Sequence, residues 1–311
     1  MAKKQFTVYR LHFTSPLHIG DVREDYGISL NTLSSDTLYA ALTATLAKMG
    51  AIIPDDGDLG CVISSLFPYR KDTREAEPTY YFPKPLCVRY PKDLKPEDFK
   101  KAKKMQWLDL PQFEKALYGQ PVEVSKNPDF IKSNVSERVS VVSRDYSEDS
   151  KPFYMDRIYF EGDSGLFFIA ECDTTMIDKA LPLLALEGIG TDRNVGNGFF
   201  EYERDTLSIS LPHDTEYGIS LSTFIPESKE QLTSLLSTHS SYELQRRGGW
   251  ITTPPYNAIR KNVIYAFAAG SVFSGIQSGA GKIVDLAPQG LVLQHPIWRC
   301  GKTLVLPIKM A

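Results

Sequence analysis

The sequence predicts an α+β fold made of two domains, each with elements in the order β-α-β-β-α-β. Strand-like alternation and helical spacing follow one another in this order over the first two thirds of the chain. An extended β-hairpin interrupts the order, and a loop with four glycines joins its last helix to its last strand. The length of 311 residues is sufficient for two such domains.

The first strand and the first helix have clear patterns. Residues 6–13 alternate as in a half-buried strand, and Pro16 and Gly20 then break the pattern and predict a loop. Polar residues at 34–36 offer N-cap oxygens, and apolar residues recur at helical spacing from Leu38 to Met49 before Gly50 ends the helix.

The middle of the chain predicts an insertion and a hairpin. Residues 53–132 are rich in proline, lysine and acidic residues, which indicates an irregular insertion with short elements. Two alternating runs at 135–142 and 153–160 flank a charged turn. This pattern predicts a β-hairpin over residues 132–160 that protrudes from the body.

The remaining elements complete a ferredoxin-like (RRM-like) domain. A buried strand at 165–171, a helix from Thr174 to Leu186, the glycine-rich loop 188–198 and a strand at 199–203 close this domain at residue 205. Further strand patterns and one helical pattern at 228–237 predict a second, smaller ferredoxin-like domain. The predicted domains are therefore 1–205 and 206–311.

The glycine-rich loop does not fit the common nucleotide-binding motifs. A dinucleotide fingerprint follows a strand and opens a helix, whereas this loop follows a helix, and Arg193 stands where the third glycine belongs. The P-loop spacing also fails, because the position five residues after Gly190, where a second glycine is required, is Val195. Four glycines allow positive φ angles and clustered amides that bind anions. The alternative is a tight connection between helix and strand.

Composition limits the function classes. The net charge of −3 disfavours a protein that coats nucleic acid nonspecifically, so any nucleic-acid site must be local. Residues 245–261 contain Arg246, Arg247, Arg260 and Lys261 without an acidic residue. The lysines at 100–104 are more typical of a solvated helix face.

No segment predicts a membrane span or a signal peptide, and the four cysteines and five histidines are scattered. We expect a cytoplasmic protein in a reducing environment. No metal site and no cofactor are expected, because carboxylates, cysteines and histidines do not occur at ligand spacing.

Several motifs along the chain resemble one known family. They are LHIGD at 17–21, SDTLY at 35–39, YFPKPL at 81–86, EGIGTDRNVGNGF at 187–199, RRGGW at 246–250, GSVF at 270–273 and HPIWR at 295–299. Together they resemble the RAMP superfamily of CRISPR proteins, and within it the fourth-subunit family of the type III-A Csm interference complex. The matches occur in order over nearly the whole chain.

The resemblance implies two ferredoxin-like domains, with a thumb-like hairpin at about 132–160. It also implies that the chain grips the repeat-derived 5′ tag of the CRISPR RNA (crRNA). The implied protein partners are the large polymerase-palm subunit and the adjacent backbone RAMP subunit, with target RNA contacted only indirectly. Thr191 departs from the family pattern, in which glycine is expected after Gly190.

Single-stranded RNA requires cations for phosphates, flat surfaces for bases and amides or hydroxyls for 2′-hydroxyl groups. The candidate RNA-binding residues are His18, Lys132, Arg138, Arg144, Gly188, Gly190, Thr191, Arg193, Gly196, Gly198, Arg246, Arg247 and Trp250. Trp250 is open to two interpretations, base stacking or a core tryptophan. Arg138 and Arg144 are equally compatible with a solvated hairpin edge.

Catalysis is the main alternative function. His18 is the strongest candidate for metal-independent RNA cleavage, but no partner general acid or base can be assigned to it. We therefore expect a non-catalytic RNA-binding subunit. The alternatives are a metal-independent crRNA-processing endoribonuclease of the same superfamily and a protein-interaction module that barely touches RNA.

Overall fold

The structure is a computed structural model that describes residues 2–20, 26–73, 75–140 and 151–310. The elements up to residue 211 are β1 (Ala2–Phe13), α1 (Ser35–Lys48), β2 (Cys61–Ile63), β3 (Phe67–Lys71), β4 (Thr79–Pro83), α2 (Pro96–Lys104), β5 (Trp107–Asp109), α3 (Leu110–Leu117), β6 (Ile131–Ser140), β7 (Lys151–Phe160), β8 (Asp163–Cys172), α4 (Thr175–Glu187) and β9 (Phe200–Leu211). The later elements are β10 (Tyr217–Ser220), α5 (Lys229–Leu235), β11 (Leu244–Arg247), β12 (Ile264–Phe267), β13 (Val272–Ser274), β14 (Ile283–Asp285), β15 (Trp298–Cys300) and β16 (Val305–Ile308). The mixed content of helices and antiparallel sheets confirms the predicted α+β class.

The main sheet has the order β5-β4-β3-β8-β1-β9, and β2 also pairs with β8. Every neighbouring pair in it is antiparallel. The longest pairing joins β1 to β9, from Ala2 opposite Leu211 to Phe13 opposite Phe200. The predicted domain boundary at residue 205 lies inside β9, so residues 207–211 complete the first sheet rather than begin the second part.

The alternation of β1 explains why both faces of this sheet are covered. Tyr9, Leu11 and Phe13 pack into one apolar cluster with α1 and α4, whereas Phe6 and Val8 point to the opposite face. All five side chains are buried.

The opposite face packs against α3 and the C-terminal part. Phe113 and Leu117 of α3 share one cluster with Ile219 of β10 and Leu306 of β16. The N-terminal and C-terminal parts therefore have a continuous apolar core between them.

The C-terminal part has a three-stranded sheet of order β13-β10-β16, and an isolated bridge joins Ser241 to Val272 of β13. α5 lies between β10 and that bridge. The predicted fold requires a second helix before the last strand, but the described residues there contain the antiparallel ribbon of β14 and β15 instead. Glycines at 275, 279, 281, 290 and 301, with prolines at 288 and 296, disfavour a helix in this segment.

The middle of the chain is more regular than predicted. β3, β4 and β5 extend the main sheet, and α2 and α3 lie beside it. These strands have only three to five residues and include Pro68 and Pro83, so they lack a clear alternating pattern. The lysines at 100–104 are exposed on α2, as predicted.

The predicted hairpin is present as the antiparallel ribbon of β6 and β7, with Ile131 opposite Phe160 and Ser140 opposite Lys151. Its tip at 141–150 lies outside the described residues. Every helix in the described parts of the chain is too short or too polar to cross a lipid bilayer.

Candidate functional site

The glycine-rich loop joins α4 to β9 and has a left-handed backbone at several positions. Gly188, Gly190, Gly196 and Gly198 have φ angles of 78°, 95°, 90° and 77°. Asp192 also has a positive φ of 58° and precedes a short 3₁₀ turn. All four glycines therefore adopt a backbone that other residues avoid.

Close packing explains three of these glycines. A Cβ atom at Gly190 would lie 2.5 Å from the carbonyl oxygen of His18, one at Gly198 would lie 1.9 Å from that of Ile189, and one at Gly188 would lie 2.8 Å from that of Asn197. These close approaches are made by the chain's own backbone and not by a ligand. The three glycines are needed for folding, whatever the loop binds.

Segment 16–18 lies against the loop. The amide of Gly198 donates to the carbonyl oxygen of Pro16 at 2.7 Å, and the amide of Thr191 donates to that of His18 at 2.9 Å. Thr191 therefore holds the loop through its backbone, which any residue but proline supplies.

The same segment holds the hairpin on its other side. Leu17 and Ile158 exchange backbone hydrogen bonds of 2.9 and 2.7 Å. Nδ1 of His18 donates to the carbonyl oxygen of Asp156 at 2.7 Å. Segment 16–18 thus fixes the glycine-rich loop beside the base of the hairpin.

His18 is only 1% exposed, and its ring stacks on Tyr26 at a centroid distance of 5.9 Å. The prediction that its side chain contacts RNA does not fit this burial. In this structure His18 is a positioning residue, because its ring bonds the hairpin backbone and its carbonyl oxygen receives the loop amide.

Asp156 is a residue that the sequence analysis missed. Its buried carboxylate accepts hydrogen bonds from Oγ of Ser133 at 2.5 Å and from the amide of Ser29 at 3.0 Å. It therefore joins both hairpin strands to the segment that precedes α1. In sequence it occupies one position of an alternating strand, so no local signal marks it.

Cationic side chains lie around this junction. Nη1 of Arg138 on β6 is 4.0 Å from Oδ2 of Asp192 in the loop, and both side chains are partly exposed. Arg193 donates to the carbonyl oxygen of Gly188 at 3.4 Å. Lys132 pairs with Glu161 at 3.5 Å at the base of the hairpin, where both side chains are well exposed. Arg144 lies outside the described residues.

The loop also has unused backbone donors. The amides of Asp192, Arg193 and Asn194 have no acceptor among the described residues. They are consecutive and begin at the left-handed residue Asp192, a backbone arrangement that can receive an anion. This is the part of the loop that remains available for a ligand.

A second group of candidates lies on the ribbon of β11 and β12. Arg246 is exposed, and Trp250 is 41% exposed with the guanidinium of Arg260 at 4.7 Å from its ring centroid. The interpretation of Trp250 as a core tryptophan is therefore wrong. Its exposed surface suits stacking on a flat ligand.

Arg247 has a different role from the one predicted. Its Nε and Nη2 atoms lie 2.8 and 3.1 Å from the two carboxylate oxygens of Asp36, and Nη2 also donates to Thr37 at 2.7 Å. Nη1 of Arg299 lies 3.2 Å from Oδ2 of Asp36. Two arginines of the C-terminal part thus share one carboxylate at the start of α1.

The Asp36 carboxylate is fully buried and charged. Burial alone would raise the pKa of Asp36, but the charges of Arg247 and Arg299 outweigh it and hold that pKa below its ordinary value. Asp36 and Arg299 each lie in a motif that carries the family resemblance, but their contact was not predictable from the sequence, because 263 positions separate the two.

In the described residues, no group of three His, Cys, Asp or Glu side chains is placed to hold a metal ion. The arrangement is chemically suited to holding anions.

Comparison with known proteins gives consistent matches. The sequence family described as CRISPR Csm4 C-terminal domain matches residues 213–308. A relative, the CRISPR system Cms protein Csm4 of Thermococcus onnurineus, is 28% identical in an alignment of 264 residues that covers 81% of this chain and 81% of the relative.

Two solved structures share the fold over almost the whole chain. A Csm1–Csm4 cassette in complex with cA4 contains a chain that aligns with a TM-score of 0.65 at 22% identity, covering 99% of both chains. A Csm3–Csm4 subcomplex of the type III-A CRISPR-Cas interference complex aligns with a TM-score of 0.60 at 17% identity, covering 98% of this chain and 100% of the other.

In sequence the chain is therefore similar to Csm4 proteins of CRISPR systems, and its residues 213–308 match the Csm4 C-terminal domain. In fold it is similar to chains of the Csm1–Csm4 and Csm3–Csm4 assemblies.

Proposed function

We propose that this chain is a non-catalytic RNA-binding subunit of a type III-A CRISPR interference complex, and that it holds the repeat-derived 5′ tag of the crRNA. The observation that carries this proposal is the junction of segment 16–18 with the glycine-rich loop and the hairpin. It presents unused loop amides, Arg138 and Arg193 on one rigid support.

The strand order supports the ferredoxin-like part of the proposal. In the main sheet, the strands β9, β1, β8 and β2/β3 have the order 4-1-3-2 of a β-α-β-β-α-β domain. In the C-terminal part, β16, β10, β13 and the bridge at Ser241 repeat that order with only the first of the two helices. We propose a complete ferredoxin-like domain followed by a reduced one.

The surface chemistry fits single-stranded RNA. Arginines offer bidentate contacts to phosphates, loop amides offer donors to phosphate or 2′-hydroxyl oxygens, and Trp250 offers a stacking surface. Because the overall charge is negative, binding through these local groups favours one defined RNA segment over any RNA.

The structures of relatives suggest the protein partners. The names of two solved assemblies place a chain of this fold with Csm1 in one and with Csm3 in the other. We propose that this chain likewise joins the large subunit to the adjacent backbone subunit in the cytoplasm. Target RNA would then be met only through the assembled complex.

The burial of His18 supports a non-catalytic role. A general base must reach the 2′-hydroxyl of its substrate, whereas this ring is buried and its Nδ1 is bonded to a backbone carbonyl. The test is to incubate the purified chain with repeat RNA in EDTA. Specific cleavage that His18→Ala abolishes would establish the endoribonuclease alternative.

The central experiment is to purify the tagged chain from its own cell and to sequence the RNA that co-purifies. We expect RNAs that share one repeat-derived 5′ end. Co-purification of protein subunits without such RNAs would favour the protein-interaction module and would refute the proposed function.

Salt dependence distinguishes the same alternatives in vitro. If phosphates contribute to binding, the affinity for tag RNA falls steeply as salt rises. Arg138→Gln combined with Arg193→Gln is expected to make this slope shallower by about two. A flat response in the wild-type chain would contradict RNA binding through the junction.

A further inference from the structure

Asp36, Arg247, Arg299 and Lys261 form a group that we call the Asp36 cluster. Their elements are far apart in sequence, since Asp36 is in α1, Arg247 in β11 and Arg299 in β15. Asp36 is the one carboxylate among the described residues that bonds these arginines. The cluster therefore has more positive than negative charge.

Asp36 has no remaining capacity to balance a further cation. Oδ1 accepts from Thr223 at 3.1 Å and from Arg247 at 3.1 Å, and Oδ2 accepts from Nε of Arg247 and Nη1 of Arg299. Two arginines already share its single charge. Because buried charge without a counterion is costly, a second anion would stabilise this arrangement.

Arg299 supplies a second, independent sign of a missing anion. The residue is only 5% exposed, and its Nε atom is buried without a hydrogen-bond partner among the described residues. A buried guanidinium donor without an acceptor is rare in folded proteins. An anionic oxygen would satisfy this donor and the excess charge together.

Lys261 adds a third cation at the same place. Its amide donates to the carbonyl oxygen of Gly249 at 2.9 Å, which sets the residue beside the RRGGW motif. Its ammonium group has no ion-pair partner among the described residues.

The pKa of Lys261 reflects this environment. Burial and, to a lesser extent, the positive charges of Arg299 and Arg247 lower that pKa to about 8, and Asp36 only partly opposes them. These are the charged groups that face Lys261 from α1, β11 and β15. Lys261 is thus a half-buried cation in a field that is already positive.

We propose that the Asp36 cluster binds one phosphate group of the RNA that this chain holds, with Lys261 and Arg299 as the contacting cations and Asp36 as the residue that positions the arginines. The inference rests on the proposed RNA-binding function and assigns one part of it to residues away from the glycine-rich loop. Trp250 and exposed Arg246 lie next to the cluster along the chain and offer a surface for the adjoining nucleotide.

The hydrogen-bond donors of Arg299 and Lys261 fit a phosphate better than they fit a carboxylate of a protein partner. The free donors belong to two separate groups, so they require several oxygens on one centre. A tetrahedral phosphate presents such oxygens in different directions, whereas a carboxylate presents two in one plane.

The test compares three full-length variants, Lys261→Gln, Lys261→Arg and Lys103→Gln. Lys103 is exposed on α2, so its replacement removes the same charge away from the cluster. Calorimetric titration with a single-stranded copy of the repeat RNA is carried out at pH 8 in two buffers with different ionisation enthalpies. A bound phosphate raises the pKa of Lys261, so the wild-type chain and Lys103→Gln are expected to take up as much as about half a proton per RNA bound.

Lys261→Arg remains charged at this pH, so it is expected to bind RNA as well as the wild-type chain without proton uptake. Lys261→Gln is expected to bind about five to ten times more weakly, in the range of one lost phosphate contact. Equal affinities for Lys261→Gln and Lys103→Gln, with no proton uptake in the wild-type chain, would overturn the phosphate site and leave the proposed function intact.

If the wild-type chain binds no RNA at all, the proposed function fails. The anion site in the Asp36 cluster is then tested with inorganic phosphate. A rise in melting temperature with phosphate in the wild-type chain and in Lys103→Gln, but not in Lys261→Gln, would support the anion site alone. The same response in all three would refute it.

Discussion

The amide of Thr191 donates a hydrogen bond of 2.9 Å to the carbonyl oxygen of His18, so the glycine-rich loop is fixed to the chain's own segment 16–18. This bond explains why glycine precedes Thr191. At Gly190 the two backbones are so close that a side chain would meet the His18 carbonyl oxygen.

We expect Gly190→Ala to destabilise the protein more than Gly196→Ala. Both substitutions place a side chain at a positive φ, which costs roughly 1–2 kcal/mol. Only at Gly190 would the new Cβ lie 2.5 Å from another backbone oxygen, whereas nothing lies within 4 Å at Gly196. Urea unfolding of the two variants measures the difference, and equal losses would contradict the packing role of Gly190.

We expect Asp36→Asn to reduce the free energy of unfolding by roughly 3–5 kcal/mol, because it leaves the buried Arg299 and the partly buried Arg247 without their shared counterion. The matched control is Asp58→Asn, which breaks a partly exposed pair with Lys302 and is expected to cost only about 0–1 kcal/mol. Chemical denaturation measures both losses. Similar values for the two variants would mean that the Asp36 cluster is not a buried ion pair.

Sequence patterns predicted the features that depend on residues close together in the chain. The strands β1 and β8, the helices α1 and α4 and the hairpin were predictable, because their periodicity reflects one buried face. The position of the glycine-rich loop between α4 and β9 was predictable for the same reason. Its tight contact with segment 16–18 was not, because that contact joins residues more than 170 positions apart.

The sequence predicted which residue types occur in the candidate site, but not which role each residue has. Arginines at 246 and 247 are adjacent in sequence, but alternation in β11 exposes Arg246 and turns Arg247 to Asp36. Nothing in the local sequence distinguishes the two roles. The structural roles of Arg299 and Asp156 were also not predictable, since their partners are distant in the chain.

We expect Trp250→Ala to weaken the binding of single-stranded RNA by about 1–3 kcal/mol with little change in the salt slope, because stacking on a base is not a charge interaction. Arg246→Gln is expected to lower the slope by about one instead, because it removes a phosphate contact. Fluorescence anisotropy at several salt concentrations separates the two effects. Tyr265→Ala, at another exposed aromatic residue on the ribbon, is the control for general loss of aromatic surface.

We expect the stability of the free chain to rise between about pH 8 and pH 10.5 through Lys261. Its pKa in the folded chain is about 8, below its ordinary value of 10.5, so within this window the unfolded chain binds more protons than the folded one. A rise in pH then favours the folded state, and the penalty of burying the charged ammonium disappears. Urea midpoints in phosphate-free buffer at pH 7, 8, 9 and 10 measure the effect. Lys261→Gln should lose this rise while Lys103→Gln keeps it, and a rise of equal size in both variants would show that Lys261 is not the responsible group.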